Sequence, residues 1–111
     1  MTAMLHFVGY AQPNGADPAQ VQRVCDGFAA LSAAVDGAEL LAIGPNISPS
    51  DFAHGWDYAA IVAFRDADVR AAYIAHPLHD ALGRETRDGF YDRCIVLDVP
   101  RYFVNPQGEQ S

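Results

Sequence analysis

Residues 56–65, WDYAAIVAFR, are apolar on both sides of an extended chain. Tyr58, Ala60, Val62 and Phe64 form one row at period two, and Ala59, Ile61 and Ala63 form the other. Such a strand is stable only in a sheet covered on both faces. The rest of the chain must therefore supply one cover and find a second.

The flanking sequence supplies the first. Residues 4–10, MLHFVGY, alternate, with Met4, His6, Val8 and Tyr10 on one side and Leu5 and Phe7 on the other. After the turn-rich AQPNGADP, Asp17 before Pro18 marks a helix start. Val21, Val24, Phe28, Leu31 and Val35 recur at helical spacing, and Asp36-Gly37 ends the helix. Residues 38–43 read as a second strand, and 44–55 as a loop rich in Gly, Pro, Ser and Asn. Asp66 caps a short helix to about Ala75, with Val69, Ala72 and Tyr73 inward. Pro77 pushes His76 out of the helical region, then restarts a helix to about Arg87 with Leu78 and Leu82 inward. Residues 91–99, YDRCIVLDV, form a fourth strand, and a polar tail occupies 101–111.

The order βαββαβ predicts one α+β domain over residues 1–100. It has the ferredoxin-like arrangement, a four-stranded antiparallel sheet with its helices on one face. The other face would carry Leu5, Phe7, Ala59, Ile61, Ala63, Ile95, Leu97 and Val99. So large an apolar patch calls for a partner, and the simplest is a second copy packed sheet to sheet. The expectation is a homodimer.

Composition excludes several alternatives. The chain has 111 residues, a formal charge of −7 and no lysine, and its arginines are scattered. Neither a nucleic-acid surface nor an anionic membrane is an expected partner, and no side-chain amine can form a Schiff base. No apolar run approaches a membrane span and no secretory leader is visible, so the expected location is the cytoplasm. Cys25 and Cys94 read as free core thiols.

The chemistry concentrates in AAYIAHPLHDAL, residues 71–82, where Tyr73, His76 and His79 are spaced by three. A metal held by His76 and His79 with Asp80 or His6 would lack further ligands at zinc spacing, so no metal is expected. His76, extended before Pro77, is suited to bonding backbone groups at the break. His79 falls near a helix N-terminus, where the dipole favours a neutral, proton-accepting imidazole. Tyr73 faces inward, toward His6, Tyr10 and Tyr58 on the sheet. Polar heads converging on apolar space describe a small-ligand pocket, with Val8, Phe28, Leu41, Ala60, Leu82 and Tyr91 as further walls. Half-buried tyrosines and histidines with one hydrogen bond each would leave the same sequence pattern.

YIAHPLH after a strand ending VAFRD, with His6 in the first strand and FYDRCIVLDV at the end, resembles the stress-responsive dimeric α/β-barrel (Dabb) family over residues 3–100. The resemblance implies a dimeric α/β barrel. It also implies the roles known from plant polyketide cyclases of that family, which close a linear polyketide by aldol condensation. Tyr73 and His79 match their catalytic pair and His6 a pocket histidine. Phe28 and Tyr58 stand where those enzymes have a tyrosine and a histidine, which implies a different substrate. The implied activity is cofactor-independent His/Tyr acid–base catalysis, of cyclase or lyase type, on a small apolar carbonyl compound. The family also contains hydroxynitrile lyases and many members without known activity. The wider superfamily includes monooxygenases, some of them haem-dependent. A non-catalytic ligand-binding dimer therefore stays open beside the enzyme.

Overall fold

Residues 3–101 are described by the structure, a computed structural model. The elements are β1 (Met4–Ala11), α1 (Pro18–Ala34), β2 (Ala38–Pro45), β3 (Tyr58–Phe64), α2 (Ala67–Ala75), α3 (Pro77–Arg87) and β4 (Arg93–Pro100). A single 3-10 turn, Asp51–Ala53, sits in the loop between β2 and β3. Except for Arg101, the polar tail lies outside the described residues.

Local chemistry sets each boundary. The Asp17 carboxylate accepts a hydrogen bond from the Ala19 amide, and Pro18 takes the first helical position. Gly37 turns the chain out of α1 at φ 91°, and a Cβ there would stand 2.8 Å from Val69 Cγ2. The Asp66 carboxylate caps α2 by accepting from the Val69 amide at 2.9 Å. At the break, His76 is extended and its Nδ1 accepts from the Leu78 amide at 3.0 Å, so it caps α3.

The sheet is antiparallel throughout, in the order β2-β3-β1-β4. Register brings His6 opposite Val62 and Asp98, Val8 opposite Ala60 and Val96, and Tyr10 opposite Tyr58 and Cys94. These residues share the helix side. Val24, Phe28 and Leu31 from α1 close on Val62 and Phe64 below, with Val69 and Tyr73 from α2.

Four details depart from the sequence reading. Leu41 is the extra residue of a β-bulge between Leu40 and Ala42 and is 46 % exposed, not turned to the helices. Leu78 and Ala72 are exposed rather than inward, because Tyr73, Ile74 and Leu82 fill the space beneath α2 and α3. Cys94 is not a core thiol: β4 is an edge strand and all eight of its residues are exposed. Cys25 is half-buried and forms no disulfide among the described residues.

Candidate active site

The helices crowd over β2 and β3, and the room left above β1 and β4 is a cavity of about 380 Å³. Its floor is His6, Val8 and Tyr10 of β1 with Cys94 and Val96 of β4. Phe28 of α1, Arg70, Tyr73 and Ile74 of α2, His79 and Leu82 of α3, and Tyr91 complete the main walls. The size suits a single-ring or short-chain organic molecule.

The middle is apolar and the two ends differ. At one end Tyr10 stacks on Tyr91, with ring centroids 5.4 Å apart, and meets Phe90 edge-on. Burial, reinforced by Cys94, Tyr73 and Tyr91, raises the Tyr10 phenol far above its ordinary value. At the other end the Tyr73 ring lies between His6 and His79, 5.9 Å from each, and against Phe64 at 4.9 Å. Tyr73 is only 1 % exposed. Burial pushes its phenol up to about 12, against a weaker opposing pull from the Ser32 hydroxyl. Neither hydroxyl reaches hydrogen-bonding geometry with any partner among the described residues. An orphaned buried hydroxyl is unusual enough to ask what it serves.

His79 is held below the ordinary histidine range. Desolvation is the main cause; Asp80 opposes it, and His6 and Arg87 add to it. At neutral pH this imidazole is uncharged and can accept a proton. His6 is fixed differently: its Nδ1 lies 2.7 Å from Asp98 Oδ1, and Arg70 Nε donates to Asp98 Oδ2 at 2.9 Å. Burial works against the Asp98 carboxylate, but hydrogen bonds and charge from His6 and Arg70 prevail and hold it below its usual range. With Nδ1 engaged by a carboxylate, Nε2 is the His6 atom free to exchange a proton.

Eight residues singled out in the sequence therefore line one cavity: His6, Val8, Tyr10, Phe28, Tyr73, His79, Leu82 and Tyr91. Leu41, Tyr58 and Ala60 do not. The bulge turns Leu41 away, while Ala60 and Tyr58 belong to β3, beneath the helices. The Tyr58 hydroxyl meets Cys25 Sγ of α1 at 3.0 Å, and burial with that contact raises its phenol to about 12. The sequence reading passed over Arg70, Ile74, Thr86 and the cavity role of Cys94 and Val96. For Val96 and Cys94 the signal was present, since strand alternation puts them on the side of Asp98. Arg70 carried none, because its partner lies 28 residues away.

The profile of the stress responsive A/B barrel domain matches residues 5–101. The chain belongs to that family. No curated protein matches it. Solved structures agree on the fold of this stress responsive A/B barrel protein. A hydroxynitrile lyase from Passiflora edulis is 16 % identical with a TM-score of 0.79, covering 94 % of this chain and 97 % of that one. A dimeric ferredoxin-like protein of unknown function from Thermobifida fusca is 19 % identical at TM-score 0.74, covering 90 % and 92 %. A second dimeric ferredoxin-like protein of unknown function, from Jannaschia sp. CCS1, is 24 % identical at 0.70, covering 86 % and 97 %. The ferredoxin-like fold of this A/B barrel protein is thereby shown. Among its described residues no helix is long and apolar enough to cross a membrane.

Proposed function

We propose that this protein is a cofactor-independent enzyme that enolises a small apolar carbonyl compound, and that it works as a homodimer. The observation that carries the reading is the uncharged His79 imidazole on an apolar cavity, with the Tyr73 ring 5.9 Å away and the Tyr73 hydroxyl without a hydrogen-bond partner among the described residues. His79 takes the proton α to the carbonyl. Tyr73, whose high pKa keeps its proton in place, donates a hydrogen bond to the developing enolate oxygen. His6, steadied by Asp98, orients a polar substituent or returns the proton. Each such contribution is worth roughly 10²–10⁴-fold, enough for a substrate already acidified by a second carbonyl. The enolate can then attack a second carbonyl intramolecularly, as in a cyclase; run in reverse, His79 takes the proton of a β-hydroxyl, the C–C bond breaks, and a carbonyl compound and the enolate are released.

The test is deuterium exchange from solvent into benzoylacetone, followed by NMR after saturation has been shown by titration. Wild type should exchange the α-protons faster than buffer, and His79→Ala should not. Equal rates in all three would leave a non-catalytic binding protein.

A further inference from the structure

Arg70 raises a question that acid–base chemistry on a neutral ketone does not answer. Of the described residues that line the cavity it alone carries a permanent positive charge, and none of them is an aspartate or glutamate. Its hydrogen bond to Asp98 uses Nε, and neither Nη makes one among the described residues. Asp98 in turn spends its other oxygen on His6. The guanidinium is thus held through Nε, with both Nη groups unspent among the described residues and the side chain partly exposed.

We propose that Arg70 receives a carboxylate, and that the natural ligand is a β-dicarbonyl compound ending in that carboxylate; the inference rests on the enolising function above. The planar fork of arginine matches a carboxylate with two parallel N–H···O bonds. Anchoring by Asp98 means little side-chain freedom is lost when the ligand binds. The ion pair also holds this partly exposed guanidinium in place at the cavity wall. Placement fits the chemistry. Arg70 is one carboxylate removed from His6, whose ring stands 5.9 Å from Tyr73, and Tyr73 is the same distance from His79. Arg70 and Tyr73 stand three residues apart on α2 and line the same cavity, so a ligand held by its carboxylate on Arg70 runs past Tyr73 with its apolar remainder toward Val8, Phe28, Leu82 and the Tyr10–Tyr91 stack. The protein's net charge of −7 repels anions at long range, so capture depends on this local contact.

Benzoylpyruvate and benzoylacetone test it, because they differ only in a carboxylate replaced by a methyl group. Titrated into wild-type protein, benzoylpyruvate should bind about tenfold more tightly, the worth of one charge-assisted contact. Arg70→Gln should bring the acid's Kd to that of the diketone, and Arg70→Lys should keep part of the preference. Added salt should narrow the gap in wild type. Equal affinities in wild type would overturn the carboxylate assignment. So would an Arg70→Gln variant that weakens both ligands alike, since the arginine would then act only by holding Asp98. If benzoylacetone still binds and exchanges its α-protons faster than buffer, only this assignment falls. If neither compound binds, the enolising function falls with it.

Discussion

At the scale of single residues, the Tyr73 hydroxyl is where stability and function part company. Its ring packs on Phe64, His6 and His79, but its oxygen bonds to nothing among the described residues. Tyr73→Phe keeps the packing and strands no partner, so thermal melts should be unchanged or slightly higher. α-Proton exchange should fall on the order of 10²-fold, the cost of one hydrogen bond to the enolate. A double variant with His79→Ala should lose little more than the worse single one, since groups that act as a unit are not additive. The lowered pKa of His79 fixes the pH dependence. The base works when uncharged, so exchange should persist below the ordinary histidine value of about 6.5 and fail only as pH drops through the lowered one. Asp98 gives a separate, structural dependence. Its folded pKa is depressed, so its stabilising contribution is complete above the ordinary carboxylate value of about 3.9 and is lost as pH falls below it. Urea midpoints compared across that range should drop more in wild type than in Asp98→Asn.

At the scale of elements, the break between α2 and α3 shows what a sequence can disclose. Pro77 forbids His76 a helical conformation, and the imidazole then caps the next helix. His76→Ala should cost about 1 kcal/mol in denaturant titration, and His76→Asn should restore most of it, with ligand binding unchanged in both. The starts of all three helices were legible for the same reason: Asp17, Asp66 and Pro77 act through their immediate neighbours. The two faces of β1, β3 and β4 were legible because alternation is strictly local. What escaped needed knowledge of neighbours in space. In ELLAIG nothing distinguishes Leu40 from Leu41 as the residue that a bulge expels. YDRCIVLDV shows that Cys94, Val96 and Asp98 share a side, but not that the strand lies at an edge with a cavity above it. Tyr58 and Ala60 have the same parity as true lining residues and miss the cavity only because β3 lies under the helices. The candidate pair Tyr73 and His79 was visible in one motif, whereas the Arg70–Asp98–His6 chain joins three elements and was not.

At the scale of the molecule, the described chain is a slab 17 Å through its thinnest dimension, one sheet and one layer of helices. The two-sided apolar pattern of β3 remains unanswered in a single copy. Ile95, Leu97 and Val99 of β4 stay 38, 52 and 45 % exposed on the face without helices, beside Leu5, Phe7 and Ile61. A second copy, sheet to sheet, satisfies all of them, and two of the similar structures are described as dimeric. Light scattering after size exclusion should therefore give twice the 12.0 kDa chain mass. Leu97→Asp is the decisive variant. More than half the residue already meets solvent in one protomer, so a charge there costs the protomer fold little, whereas a face-to-face interface would have to bury it unpaired. The variant should be a folded monomer by circular dichroism, or should aggregate through the exposed face. Leu78→Asp, an equally apolar loss on the helix side, should stay dimeric. The melting temperature of wild type should rise with protein concentration, and that dependence should vanish in Leu97→Asp, because association stabilises only the paired state. A monomeric wild type, or a Leu97→Asp protein that remains a dimer, would mean that something other than a second copy covers this face.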